Sequence, residues 1–413
     1  MLIHADAKAI PIEDCSVDSI VTDPPYGLKF MGKEWDHGIP GVPFWIEALR
    51  VAKPGAHLLA FGGTRTFHRL ACAIEDAGWD IRDTIMWVYG SGFPKSHDVA
   101  KAIDAMQLYG GSNSKRIKKA NDGRNGPGRY RSSTHNNCFM AGDIRGSRII
   151  KDRPTTGDAE TWQGWGTALK PAWEPIIVAR KPLVGTVAGN VLKHGTGGIN
   201  VDGCRVGTTK RVPCSPAKDR IGQVAKGDER GRTMETDGYN ASVGRWPANV
   251  IHDGSEEVVG LFARFGESKS TVGMCGATGR HDVSSPGTFN AKPYTNNERG
   301  HKDTGTAARF FYTAKASASD RGHESAAALP LFNEGKHEWR NTHPTVKPQS
   351  LMRYLCRLVT PPGGTVLDPF MGSGSTGVAA ESERFQFIGV DLNSEYVEIA
   401  AKRLGQRVLG LDR

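Results

Sequence analysis

The segment that most narrows the folds open to this chain is Val366-Leu367-Asp368-Pro369-Phe370-Met371-Gly372-Ser373-Gly374-Ser375-Thr376. An apolar run ends in a carboxylate, passes through glycines at 372, 374 and 377, and continues into a helical stretch from Val378 to Glu383. Glycine is needed where a backbone turns left-handed or comes close to a ligand. A strand, a tight turn and a helix in that order belong to parallel sheets covered by helices. The neighbouring segments agree. Leu351, Tyr354, Leu355 and Leu358 line one face of a helix from Ser350 to Val359, which ends before Pro361-Pro362-Gly363-Gly364. A strand from Phe385 to Val390 and a helix from Ser394 to Leu404 follow.

The same alternation fills the front of the chain. Ser19-Ile20-Val21, His57 to Phe61 and Thr84 to Val88 read as strands, and Phe67 to Ala77 as a helix stopped by Gly78. After Ser96 the pattern breaks: Lys115-Arg116-Ile117-Lys118-Lys119, Arg124, Arg129 and Arg131 lie among Asn, Gly and Ser, a mixture that reads as a mobile insertion. Pro175 to Ala179 brings a core strand back, and a long Gly-, Asn- and Thr-rich stretch then runs to about Arg340. Within it, Gly189 to Leu192, Gly198 to Val201, Asn249 to Ile251 and Ala308 to Tyr312 read as short strands. The expected fold class is α/β, with a front half over 1–100, a basic insertion over 101–169, a return strand over 170–182, a long second insertion over 183–340 and a back half over 341–413.

At 413 residues the chain exceeds one ordinary compact domain. Its net charge of +9 and pI near 9.1 suit a polyanionic partner. Cysteines at 15, 72, 138, 204, 214, 275 and 356 form no Cys-x-x-Cys pair, which argues against a zinc site and a disulfide framework, so no metal is expected. The first residues lack a secretion signal and no apolar run is long enough to span a bilayer, which leads to the expectation of a cytoplasmic protein with no membrane partner.

Gly372, Gly374 and Gly377, with Asp391 roughly twenty residues on, also satisfy the dinucleotide-binding pattern. In that pattern the strand runs straight into the glycines, and a pyrophosphate sits on the helix amino terminus. Here Asp368-Pro369-Phe370 intervenes. A carboxylate there repels a pyrophosphate and welcomes a cationic group such as the methionine end of S-adenosyl-L-methionine. Asp391, at the end of the next strand, suits ribose hydroxyls with either cofactor.

Val21-Thr22-Asp23-Pro24-Pro25-Tyr26-Gly27 supplies complementary chemistry. The lone pair of an exocyclic amino group is delocalised into its base. A carboxylate on one amino hydrogen and a fixed backbone carbonyl on the other localise it towards a methyl donor. Asp23 and the Pro24 carbonyl fit those two roles, Pro24 and Pro25 stiffen the backbone, and Tyr26 offers a stacking face for a base taken out of the duplex. Trp87 and Tyr89 offer aromatic walls for a base pocket, and Trp87 reads equally as core filling.

Together these segments resemble the amino-type DNA methyltransferases of the permuted β class, adenine-N6 and cytosine-N4, with similarity to phage members in His194 to Gly203 and Arg245 to Val250. The resemblance rests on Ser19 to Gly27, Asn341 to Pro348, Val366 to Thr376 and Gly389 to Leu392. It implies a doubly wound, seven-stranded, Rossmann-like sheet, circularly permuted, with a large inserted target-recognition region. It implies catalytic roles for Asp23, Pro24, Pro25 and Tyr26, and cofactor contacts from Asp368, Phe370, Gly372, Ser373, Gly374 and Asp391. By the same resemblance Asp6 approaches the cofactor adenine, and the segment of Thr345 and Lys347 lines its methionine end. The implied partner is double-stranded DNA, methylated at adenine because the first motif position is aspartate. A homodimer and a companion restriction endonuclease are compatible with the sequence, and neither is written in it.

Rival readings are a cytosine-N4 enzyme, a methyltransferase acting on RNA or protein glutamine, and a DNA-binding protein on an inactive copy of the fold. A ring-carbon methyltransferase would need a cysteine nucleophile, and Cys214 lies in a Gly/Lys-rich loop with no strand before it.

Overall fold

The computed structural model describes residues 1–28, 38–92, 96–109, 154–207, 211–212, 244–269, 300–301, 304–314, 346–405 and 408–409. The chain divides into two compact units, Met1–Gly90 together with Trp173–Arg413, and Ser91–Ala172.

Among the described residues of the larger unit, ten strands form one sheet: β1 (Leu2–His4), β2 (Val17–Thr22), β3 (Ala52–Phe61), β4 (Asp80–Val88), β5 (Trp173–Arg180), β6 (Val250–His252), β7 (Tyr312–Thr313), β8 (Thr365–Asp368), β9 (Gln386–Asp391) and β10 (Val408–Leu409). Their spatial order is β7-β6-β4-β5-β3-β2-β8-β9-β1-β10. The seven strands from β4 to β1 are the expected sheet, and three strands of two or three residues extend it at its ends. β5 runs antiparallel to β3 and β4, whereas β3, β2, β8, β9 and β1 are mutually parallel. The amino-terminal β1 lies beyond β9, among the strands from the chain's end.

All six residues of β2 are buried, as a strand in the middle of a parallel sheet requires. Its one carboxylate, Asp18, is paired with Lys53 at 2.6 Å and accepts the Thr365 amide at 2.8 Å. Helices α1 (Val42–Val51) and α2 (Phe67–Asp76) cover one face through Trp45, Ala48, Leu70 and Ile74. The other face is covered by α7 (Gln349–Val359), α8 (Ser375–Ser382) and α9 (Ser394–Leu404) through Leu351, Leu355, Ala379, Val397 and Ala400. The sheet is therefore doubly wound. α9 starts on Asn393, whose side chain accepts the Glu395 and Tyr396 amides, and stops at left-handed Gly405.

The smaller unit contains α3 (Val99–Tyr109) and α4 (Gly157–Thr161). Asp104 joins them by accepting the Thr155 and Thr156 amides and the Thr156 hydroxyl.

Two middle segments depart from the strands expected of them. Gly189 to Leu192 lies within α5 (Val187–His194), capped by Thr186 and ended by left-handed Gly195, so capping outweighed the apolar run. Ala307–Phe310 forms a 3-10 turn, and only Tyr312–Thr313 beyond it pairs with the sheet. Gly198 to Val201 is not a strand, whereas Val250 and Ile251 are in β6, with α6 (Glu256–Ala263) after it. The basic run from Lys115 to Arg131 and Cys214 lie outside the described residues. Among the described residues no helix is long and apolar enough to cross a membrane.

Candidate active site

Parallel strands end on one rim of a sheet, and four adjacent ones carry carboxylates there: Asp23 after β2, Asp368 on β8, Asp391 on β9 and Asp6 just past β1. The two motif loops, from opposite ends of the sequence, are neighbours because β2 pairs with β8. The Thr22 hydroxyl donates to Asp368 Oδ1 at 2.6 Å. Such an edge, where the direction of winding reverses, is where sheets of this kind bind ligands.

On the glycine side Asp368 is enclosed, at 2% exposure. Thr22 occupies one of its oxygens, the Thr376 hydroxyl donates to the other at 2.5 Å, and the Phe370 amide adds a bond of 3.1 Å. Burial pushes its pKa up to about 7 against these donors. Asp368 thus knits the two loops together with its oxygens already engaged.

Gly372 and Gly374 are left-handed, with φ of 54° and 79°. The Gly372 amide is held by Asp391 at 2.8 Å, and the other Asp391 oxygen takes the Asn393 amide. Burial raises the Asp391 pKa against those two amide bonds. Ser373 is buried, and Arg403 of α9 donates to its carbonyl at 2.6 Å. Phe370 packs beside Phe44 and Trp45, with centroids at 5.7 and 6.0 Å. Asp6 is more open, accepts the Lys8 amide and pairs with the Lys8 ammonium at 3.2 Å.

On the other side of β8, Asp23 belongs to a polar network. The Tyr26 hydroxyl donates to Asp23 Oδ1 at 2.7 Å, and Lys347 Nζ approaches the same oxygen at 3.2 Å. Lys347 also reaches Glu174 at 2.8 Å and the Tyr26 hydroxyl at 3.0 Å, with its ammonium over the Tyr26 and Phe61 rings. Burial raises the Asp23 pKa, Lys347 opposes that rise and Glu174 adds to it. Burial opposes the charge on Lys347, but Asp23 and Glu174 together hold its pKa above the usual lysine range. The Thr66 hydroxyl fixes the Tyr26 carbonyl at 2.8 Å. Pro24 is buried and Pro25 half-buried.

The structure brings Asp23, Pro24, Pro25, Tyr26, Lys347, Asp368, Phe370, Gly372, Ser373, Gly374, Asp391 and Asp6 to this rim, whereas Thr345 lies outside the described residues. Lys347 stands with the Asp23 loop. Trp87 is buried in the core, and its neighbour Tyr89 turns its hydroxyl to Glu174 at 3.3 Å. Sequence reasoning missed Glu174, Thr22, Thr376 and Arg403. Glu174 had one signal, an acidic residue opening the apolar run Pro175-Ile176-Ile177-Val178.

A doubly wound sheet with two functional loops on one rim is the class that the fold and site define. Within that class, the chain belongs to the N6/N4 methyltransferase family described as DNA methylase, whose model matches residues 17–402. It is 46% identical over 67 residues to the Type II methyltransferase M2.DpnII of Streptococcus pneumoniae, which covers 16% of this chain and 25% of that protein. It is 43% identical over 67 residues to the DNA adenine methyltransferase YhdJ of Escherichia coli (strain K12), covering 16% and 22%. The chain therefore spans about a quarter of the length of these two curated relatives. The solved structure of the M1.HpyAVI-SAM complex aligns with a TM-score of 0.38 and 15% identity over 98% of each chain.

Proposed function

We propose that this protein transfers a methyl group from S-adenosyl-L-methionine to the exocyclic amino group of adenine in double-stranded DNA. The observation that carries the reading is the Thr22–Asp368 hydrogen bond, which holds the Asp23 loop beside the glycine loop on one rim. The glycine loop suits the cofactor: left-handed Gly372 and Gly374 turn the backbone tightly between β8 and α8, and Asp391 stands at the adjacent strand end. Gly372, Ser373, Gly374, Asp391 and Asp6 would hold it there, with Asp368 and Phe370 shaping the loop from behind. When bound, the cofactor supplies an electrophilic methyl group.

The chain's own residues prepare the acceptor. Asp23 accepts one amino hydrogen and the Pro24 carbonyl the other, which localises the nitrogen lone pair, while Tyr26 stacks on the base. The basic charge of the chain favours contact with DNA phosphates. The recognition region between β5 and α7 selects the target. Aspartate at the first position of the Asp23 motif, and the similarity to the DNA adenine methyltransferase YhdJ, support adenine over cytosine.

The test is to incubate the protein with duplex DNA and methyl-labelled cofactor, digest the DNA to nucleosides and separate them. Label in N6-methyldeoxyadenosine is expected. Label in N4-methyldeoxycytidine would move the target to cytosine, and no label in any nucleoside would overturn the reading.

A further inference from the structure

Glu174 has no part in the reaction as proposed, yet it sits at the centre of the Asp23 network. It is the second residue of β5, directly opposite Trp87 in the antiparallel register. Its carboxylate gathers the Lys347 ammonium at 2.8 Å and the hydroxyls of Tyr26 and Tyr89, each at 3.3 Å. The Lys347 side chain is only 10% exposed, so its charge is neutralised chiefly by Glu174 and Asp23.

The way the ammonium is shared has a geometric result. Both protein contacts to Asp23 from this network, Lys347 and Tyr26, fall on Oδ1. Lys347 is nearer Glu174 than Asp23, at 2.8 against 3.2 Å. With Glu174 neutral, one carboxylate would face the ammonium alone and draw it closer. The ammonium and a substrate amino group would then compete for the same carboxylate.

We propose that Glu174 is a positioning residue: by sharing Lys347 it restrains the ammonium to the Oδ1 side of Asp23 and leaves Oδ2 directed to the amino group of the target base. Glu174 does not touch the base and acts through Lys347 and Tyr26. The inference rests on the methyl-transfer reaction proposed above and adds a residue to it.

The experiment is single-turnover methyl transfer to duplex DNA as a function of pH, for wild type, Glu174→Gln, Glu174→Asp and Tyr89→Phe, with S-adenosyl-L-methionine binding measured by calorimetry on each. The ionisable groups facing Asp23 are Lys347 and Tyr26 beside it, Glu174 behind them and Asp368 across on β8. Glutamine at 174 should lower the transfer rate by about 10²-fold, the usual result of a misplaced reacting group. The acid limb of its profile should move to lower pH, because a negative charge that raised the Asp23 pKa is gone. Aspartate at 174 keeps the charge and should leave the limb in place. Tyr89→Phe, which loosens Glu174 without removing it, should give a smaller loss and serves if the glutamine variant does not fold. Cofactor affinity should stay at the wild-type value throughout.

A Glu174→Gln protein with wild-type rate and profile would overturn the proposal, as would a Tyr89→Phe protein of full activity if the glutamine variant does not fold. A wild-type protein that labels no nucleoside would instead sink the methyl-transfer reading, and this inference with it.

Discussion

Thr22 and Asp368, 346 positions apart in the chain, are joined by a 2.6 Å hydrogen bond at the rim of the sheet. The Thr22 hydroxyl does more than fill a buried strand end, since its partner is a carboxylate shut away from water. Thr22→Val keeps the shape and leaves that oxygen with only the longer bond from the Phe370 amide. The expected cost is about 1–3 kcal/mol, read from urea unfolding. Unchanged stability would mean that Asp368 finds another donor.

Asp368 also makes a pH dependence. Its folded pKa of about 7 lies above the value of about 3.9 for an unfolded aspartate. The folded state therefore binds the extra proton in that window, and the contribution of Asp368 to stability is full below about 4 and lost as pH rises through about 7. Asp368→Asn removes the titration. The melting-temperature difference between wild type and this variant should change in favour of the variant from pH 5 to 8, and a constant difference would refute the shift.

If Asp23 accepts an amino hydrogen of the base as proposed, Asp23→Ala should lower methyl transfer by at least about 10²-fold while cofactor affinity is retained. Calorimetry with S-adenosyl-L-methionine and the labelled-DNA assay separate the two effects. An active variant would remove Asp23 from the reaction.

At Gly374, φ is 79° and an added Cβ would stand 3.0 Å from Ala400 Cβ. Gly374→Ala should therefore cost about 1–2 kcal/mol through the left-handed backbone and push against α9. Weaker cofactor binding is expected with it, measured by calorimetry.

Leu355 of α7 is fully buried in the core cluster beneath the sheet. Leu355→Ala should destabilise the larger unit by about 2–5 kcal/mol in urea unfolding. A much smaller loss would mean that the helix face packs loosely.

Much of this architecture was legible in the residues themselves. β2, β5, β8 and β9 announce themselves as apolar runs, and α9 runs from Ser394 to Leu404 as its spacing predicts. The two motif loops were visible because their chemistry is local: a glycine turn and a proline-stiffened carboxylate. Their partners were not. Thr22 looks like any β-branched strand residue until Asp368 is found beside it, and Glu174 acquires meaning only when Lys347 arrives from elsewhere in the sequence. α5 was obscured because Val187-Ala188-Gly189-Asn190-Val191-Leu192 is too short to show a helical period, and only Thr186 and Gly195 at its ends reveal the helix.

Arg403, in the final turn of α9, grips the Ser373 carbonyl and the Ser373 and Ser375 hydroxyls. The last helix is thereby leashed to the turn where the cofactor is proposed to rest. Whatever stiffens that turn will also quiet the helix, so amide exchange along 394–404 becomes a remote gauge of occupancy, readable without any DNA at all.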